Sequence, residues 1–328
     1  MENIQDIKLF TDVFSLEGVK GQVDIDFVNI KMSKDTKLFL DPALIEGQAL
    51  NNTGFSNEWM QNSNECIKSF FECLFDAYRN NDKGALSELL SYAHEPHETN
   101  LGLSTDAPRG KGNTEKGLLN IFKNIKGLLD ENLIVNTMDT CVFIEDFAED
   151  GMSDLVTNIL RKQLYDFTVS QCEKFNIALS DDICELGYFW DDVEKKWDVL
   201  YGKPLMNEHK VGAILLVPKT IVRNAYRYSI GQFFQMKILT DIQEKQFEQK
   251  TSLCTMKTSK AKGSYLVQPS KDIVLKEIVA DANHKEYAVN YTIENKGLIE
   301  EFRSETQNEY SKGGNILTDE KLTEYIQK

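Results

Sequence analysis

The sequence predicts an α+β or α/β fold, with a mixed sheet core flanked by helices and a helical carboxyl-terminal region. Several long segments place apolar residues at helical spacing, while shorter runs alternate or are continuously apolar, as strands are. The 328 residues are enough for one large domain or two modest ones, and the hydrophobic content of 41% is ordinary for a globular protein. The low hydrophobicity typical of disorder is absent.

The amino-terminal elements are expected to be two strands followed by helices. Residues 20–46 contain VDIDFVNIKM, which alternates polar and apolar side chains, and TKLFLDPALI, which is more continuously apolar. A helix is predicted over residues 55–80, with Ser56 as its N-cap. Two further helices are expected near Lys83–Ala93 and Thr114–Leu129.

The rest of the chain alternates strands and helices. The expected strands are Tyr188–Trp190, Trp197–Tyr201, Val211–Val217 and Tyr265–Val267, and the expected helices lie near 227–249, 271–280, 296–309 and 318–327. We therefore expect a core domain over residues 1–250 that carries an acidic site. Residues 251–328 would form a helical subdomain, or part of the same single domain.

Acidic residues concentrate in the segment from Cys141 to Cys172. An apolar run, Cys141–Ile144, is predicted to be a short buried strand, and a helix is predicted to start near Ser153. The acids between and around them are Glu145, Asp146, Glu149, Asp150 and Asp154. In that helix Asp154, Asn158 and Arg161 would share one face.

This pattern suggests a divalent metal site. Asp146, Asp150 and Asp154 could converge on Mg²⁺ or Mn²⁺, which prefer carboxylate oxygen and water, and Glu98 could add a ligand. The alternative is structural: Ser153 or Asp154 would cap the helix and the remaining acids would be solvated.

Basic residues suggest contacts with phosphate. Arg109 and Lys111 lie in a glycine-rich turn before a helix, where backbone N–H groups can form an anion-binding nest. Arg161 and Arg223 could also position phosphates, while Lys219 could stabilise developing charge. The alternatives are a flexible surface loop and a basic ridge that pairs with the acidic segment.

The net charge of −15 would by itself argue against a nucleic-acid partner. The charge is unevenly distributed, however. Residues 139–200 carry fifteen acids and five bases, whereas residues 210–263 carry ten bases and three acids. An acidic centre beside a basic surface suits a metal site approached by a phosphate-bearing ligand, although salt bridges between the segments would explain it equally well.

Several features predict a cytoplasmic protein with no membrane segment. No apolar run approaches the roughly 20 residues of a spanning helix, and the amino terminus lacks the pattern of a signal peptide. The six cysteines form no CxxC pair, which favours free thiols in a reducing compartment.

Four phrases carry a family resemblance: LFLDP (38–42), ETNLGLS with RGKG (98–112), IEDFAEDGMSDLVTNILRKQL (144–164) and LLVPKTIVR (215–223). Together they resemble an uncharacterised bacterial family associated with restriction and phage-defence loci. The resemblance implies a bacterial, cytosolic defence setting in which nucleases are common effectors. The order acid, acid, lysine also partly resembles the PD-(D/E)xK nucleases, but no ExK or QxK tripeptide follows Asp146.

The function favoured by the sequence is a Mg²⁺- or Mn²⁺-dependent nuclease or related phosphodiesterase acting on nucleic acid. A second hypothesis is a non-catalytic adaptor or sensor that binds a protein partner from a defence operon. In that case the acidic surface would be a docking face and the polar helix stripe a structural network. A third hypothesis, a small-nucleotide hydrolase, would require a deep pocket.

Overall fold

Helices build most of this α+β protein, and the strands form small antiparallel pairs beside them. The structure is a computed structural model that describes residues 8–103, 115–144, 147–207, 212–261, 263–313 and 315–328. The expected α+β class and helical carboxyl-terminal region are confirmed. Within the described ranges, three two-stranded pairs (β1–β4, β2–β3 and β5–β6) replace the expected mixed sheet.

The helices up to residue 174 are α1 (Phe10–Val13), α2 (Pro42–Asn51), α3 (Asn57–Arg79), α4 (Lys83–Leu90), α5 (Glu115–Ile121), α6 (Ile125–Asp130), α7 (Asp139–Phe143), α8 (Glu149–Ile159) and α9 (Arg161–Lys174). The later helices are α10 (Ile230–Phe233), α11 (Leu239–Glu248), α12 (Lys271–Val274), α13 (His284–Glu294), α14 (Gly297–Ser311) and α15 (Asp319–Gln327). The strands are β1 (Phe39–Leu40), β2 (Cys184–Asp191), β3 (Lys196–Gly202), β4 (Val222–Arg223), β5 (Thr255–Ser259) and β6 (Gly263–Val267).

The long helix α3 organises the amino-terminal half. Ser56 caps it as predicted, because its side chain accepts a hydrogen bond of 3.2 Å from the Trp59 N–H. The strands predicted at Tyr188–Trp190 and Trp197–Tyr201 pair as the hairpin β2–β3, which packs against this helix. Trp190 and Trp197 lie edge-on to Phe70 at centroid distances of 5.2 and 5.5 Å. Aromatic burial of this kind contributes strongly to core stability.

Residues Asp139–Phe143 form helix α7, where a strand was predicted over Cys141–Ile144. A short apolar run is compatible with either structure, so local hydrogen bonds decide. The Asp139 carboxylate accepts from the N–H groups of Val135 and Asn136, and the Asn136 side chain accepts from the Asp139 N–H. These reciprocal hydrogen bonds stabilise the amino-terminal end of α7.

Of the strands predicted within 20–46 and at 211–217, only the two-residue β1 forms a ladder among the described residues. Between residues 20 and 46 the only regular strand in the described chain is β1, and Asp41 then caps α2 with Pro42 at its first position. Residues 214–217 are buried, but they bond to scattered partners: the Leu215 N–H donates to the Glu98 carbonyl and the Leu216 N–H to the Thr168 hydroxyl.

The carboxyl-terminal helices pack onto the amino-terminal half. Tyr310 of α14 donates a hydrogen bond of 2.7 Å to the fully buried Asp41, and Arg303 of α14 forms an ion pair of 2.9 Å with the fully buried Asp139. Phe302 and Tyr310 belong to the same hydrophobic cluster as Phe27 and Phe70. The division at residue 250 stays a prediction, and these contacts cross it.

Candidate functional site

Helix α8 carries two of the predicted metal ligands, and it begins four residues earlier than the sequence suggested. Ala148 is the N-cap, Glu149 and Asp150 lie in the first turn, and Asp154 lies in the second. Ser153 and Asp154 therefore do not cap the helix. The Ser153 hydroxyl instead accepts a hydrogen bond of 3.0 Å from the Leu40 N–H, which joins α8 to β1.

Asp154 is the centre of a cluster of four acids. Its side chain lies one helical turn from Asp150, on the same face of α8. Burial, together with the nearby carboxylates of Asp150, Glu95 and Asp35, raises the pKa of Asp154 to about 9. Burial and Glu95 also raise the pKa of Asp150, against a hydrogen bond from the Leu103 backbone that lowers it. Three separate chain segments thus bring negative charge to one place.

The Asp154 carboxylate has no hydrogen-bond donor among the residues that the structure describes. Only 9% of this residue is exposed. A buried carboxylate without a donor requires a proton or a cation to offset its lost hydration. The site therefore has the electrostatic character of a cation site.

The described residues test how well a metal fits. Within those ranges, no group of three or more His, Cys, Asp or Glu side chains has the geometry to hold an ion. Mg²⁺, however, is commonly held by one or two carboxylates and completes its shell with water and substrate phosphate. Asp150 and Asp154 fit that simpler arrangement. The third predicted ligand, Asp146, lies outside the described residues.

Arg161 was predicted to position phosphate, but the contacts of its side chain do not support that role. It is only 1% exposed, and protein acceptors occupy its guanidinium group. Its hydrogen bonds go to Glu98 Oε1 at 2.5 Å, Asn158 Oδ1 at 2.7 Å, and the carbonyls of Leu186 and Tyr188 at 3.1 Å each. Glu98, predicted as a metal ligand, is instead the counterion of this arginine.

Lys219 and Arg223 also have partners other than the acid cluster. Lys219 Nζ lies 2.8 Å from Asp319 Oδ1 and 3.2 Å from the Gln22 carbonyl. Arg223 donates to the carbonyls of Asn315 and Ala225. The chain after Pro218 forms a 3₁₀ turn and then β4, so Lys219 and Arg223 form no helical ridge. These contacts do not support the predicted catalytic role of Lys219 or the predicted phosphate-positioning role of Arg223.

The remaining predicted phosphate ligands, Arg109 and Lys111, lie outside the described residues. Sequence reasoning missed three residues near the acids. Asp35 and Glu95 belong to the cluster, and only their position in turn-rich segments could have suggested them. Lys285 of α13 donates to the carbonyls of Ile144 and Phe147, the described residues that precede and follow Glu145 and Asp146 in the sequence. No local pattern marks that lysine.

The comparisons with known proteins give a family but no activity. Residues 18–229 match the model of a domain of unknown function (DUF8370). The chain belongs to this family. The DUF8370 match covers about two thirds of the chain, including all four clustered acids but neither α13 nor α14. No curated protein and no solved structure matches the chain. Among the described residues, none of the helices combines the length and apolar character needed to cross a membrane.

Proposed function

We propose that this protein is a Mg²⁺- or Mn²⁺-dependent phosphodiesterase that cleaves nucleic acid. The observation that carries the proposal is the buried Asp154 carboxylate, which has three acidic neighbours and no donor in the described chain. Asp150 and Asp154 would bind the cation directly, and Asp146 would supply a third carboxylate. Asp35 and Glu95 would increase the affinity through their negative charge.

A divalent cation bound here would polarise a phosphoryl oxygen and lower the pKa of a bound water. The contribution of the chain is to hold two carboxylates rigidly on α8. Ser153 fixes this helix to β1, and Asn158 bridges the Asp154 carbonyl, at 3.0 Å, to the Arg161 guanidinium. Such fixed positioning is what a metal-assisted site requires.

The proposal is tested with Asp154→Asn and Asp150→Asn, which keep side-chain size and remove charge. Each variant should lose nearly all Mg²⁺-dependent cleavage of DNA or RNA and should weaken Mg²⁺ and Mn²⁺ binding in calorimetry. Asp166→Asn is the matched control, because Asp166 is an exposed acid on α9 that pairs with Lys162. Cleavage that survives in both site variants, or that needs no divalent cation, would refute the proposal.

One observation favours a second candidate, a non-catalytic adaptor or sensor. The polar stripe of Asn158 and Arg161 is a satisfied structural network, as that hypothesis expects. An adaptor would show no divalent-cation binding in calorimetry and would co-purify with a partner encoded in the same operon. A cytoplasmic location remains part of both proposals and rests on the cysteine pattern and the amino-terminal sequence. A role in bacterial phage defence also belongs to both and rests on the family resemblance.

A further inference from the structure

The hairpin β5–β6 lies at the surface with most of its residues exposed. Its strands pair in a regular antiparallel register from Thr255–Val267 to Ser259–Gly263. Met256 is 65% exposed and Tyr265 37% exposed. A two-stranded hairpin is only marginally stable by itself in water, so one that is not buried against a core calls for a functional explanation.

Positive charge remains on this hairpin after the ion pairs of the surrounding basic segment are accounted for. The bases of residues 210–263 that pair with acids are Lys219 with Asp319, Arg227 with Glu309, Lys237 with Glu301 and Glu305, and Lys245 with Asp241. Within the described chain, four bases of this segment form no ion pair: Arg223, which donates to backbone carbonyls, and the lysines Lys250, Lys257 and Lys260. Two of these three lysines lie on the hairpin, and its sequence contains no acid.

The register places complementary groups on one face. Lys257 lies directly opposite Tyr265, so the ammonium group and the ring project from the same side of the ribbon. Lys260 follows in the turn. Five extended residues span about 17 Å, and a two-stranded ribbon fits the B-DNA major groove, which is about 12 Å wide.

We infer that hairpin β5–β6 is a docking arm for double-stranded DNA, with Lys257 and Lys260 contacting phosphates. The inference rests on the proposed function, because the arm would deliver DNA to the acid cluster. Charge complementarity selects a polyanion as the occupant. The width of the major groove favours duplex DNA over duplex RNA, because the major groove of A-form RNA is too deep and narrow for side chains to read.

Exposed lysines have another established use: they prevent the open edges of a hairpin from pairing with other chains. That explanation predicts aggregation when the lysines are neutralised and no effect on DNA binding. The two explanations therefore predict different outcomes for the same variant.

The experiment measures binding of the full chain to a 25-base-pair DNA duplex by fluorescence anisotropy, in EDTA so that no metal-dependent cleavage occurs. The test variant is Lys257→Gln with Lys260→Gln. The control is Lys195→Gln with Lys196→Gln, which removes the same charge from hairpin β2–β3, at the last residue of its turn and the first residue of β3. We expect the test variant to bind about tenfold more weakly near 0.1 M salt, with the slope of log K against log salt reduced by 1 to 2. The control should bind like the wild type.

Three results would overturn the inference. They are equal weakening of DNA binding in both variants, aggregation of the test variant with unchanged DNA affinity, and wild-type binding to duplex RNA or single strands that is tighter than binding to the DNA duplex. The same holds if the wild type does not bind the duplex. Hairpin-dependent binding without Mg²⁺-dependent cleavage would leave the arm intact and refute the proposed function. Cleavage at an unchanged rate in the hairpin variant, at sub-saturating DNA, would refute only the arm.

Discussion

At the scale of single residues, Arg161 and Asp154 are buried ionisable side chains on neighbouring helices that differ in their hydrogen-bond partners. Arg161 is buried with acceptors for its guanidinium nitrogens, whereas the buried Asp154 has no donor in the described chain. The first charge contributes to stability and the second is costly without a proton or a cation. Unfavourable buried charge is common at functional sites, which is why Asp154 is the stronger candidate.

Arg161→Lys should destabilise the fold by about 2–4 kcal/mol, because one ammonium group cannot reach acceptors on three segments. Urea unfolding of the variant and the wild type measures the difference. Lys162→Gln, at the next and exposed position, should change stability by less than about 0.5 kcal/mol. Unchanged stability of Arg161→Lys would show that the network is not structural.

Asp41 should make stability depend on pH. Burial raises its pKa to about 6, against hydrogen bonds from Tyr310 and the Ala43 backbone that lower it. The folded state therefore holds this proton more tightly than the unfolded state, whose pKa is near 3.9. The resulting stability is fully present below that value and is lost as pH rises through about 6, a change of up to about 3 kcal/mol.

Asp41→Asn removes this titration, and asparagine is still able to cap α2. The difference in unfolding free energy between wild type and variant should therefore change between pH 4 and pH 7, with the wild type losing more stability. Urea titrations at several pH values measure it. A difference that is constant over this range would mean that Asp41 does not titrate there.

At the scale of elements, the contact between α2 and α14 depends on a glycine. A Cβ atom at Gly47 would lie 3.0 Å from Tyr310 Cβ and 3.2 Å from the Tyr310 backbone carbonyl. Backbone atoms cannot move aside as a flexible side-chain end can. The close approach of the two helices therefore requires a residue without a side chain at position 47.

Gly47→Ala should lower the unfolding free energy by about 1–3 kcal/mol, although alanine is normally the better helix residue by about 1 kcal/mol. Gly127→Ala is the matched control on α6, where nothing lies within 4 Å of the added Cβ, and it should be neutral or stabilising. Thermal unfolding compares the two variants. A stabilised Gly47→Ala would show that α14 does not pack this closely.

At the scale of the whole molecule, the carboxyl-terminal helices complete the core of the amino-terminal half. Ile299, Phe302 and Tyr310 of α14 are buried in the common hydrophobic cluster, as are Leu322 and Ile326 of α15. The buried Asp139 carboxylate obtains its arginine counterion from α14. A core that draws side chains from both ends of the chain is expected to unfold cooperatively.

A fragment of residues 1–250 should therefore lack a cooperative unfolding transition, because it exposes the surfaces that α14 and α15 cover and leaves Asp139 without Arg303. Near-ultraviolet circular dichroism and urea titration test this. A fragment that unfolds with the midpoint of the full chain would instead support the two-domain division expected from the sequence.

Much of the secondary structure was predictable because it follows from local pattern. Periodicity and capping within each segment predicted helix α3 with its Ser56 cap, the two strands β2 and β3, and the last helices. The pairing of β2 with β3 came from the structure. The strand expected at Cys141–Ile144 failed because four apolar residues fit either structure, and Asn136 and Asp139 decided for a helix. The α+β class was confirmed, but the arrangement of the strands was not foreseen.

The sequence alone determined that acids concentrate around α8 and bases beyond residue 210, since composition is a local property. Only the tertiary structure decided what those charges do. It paired Arg161 with Glu98, Lys219 with Asp319, and Arg303 with Asp139, partners separated by 63 to 164 positions. It also left Asp154 buried without a donor in the described chain and the hairpin lysines exposed. A charge acts through what lies within a few ångströms of it, and that neighbourhood exists only once distant segments have packed together.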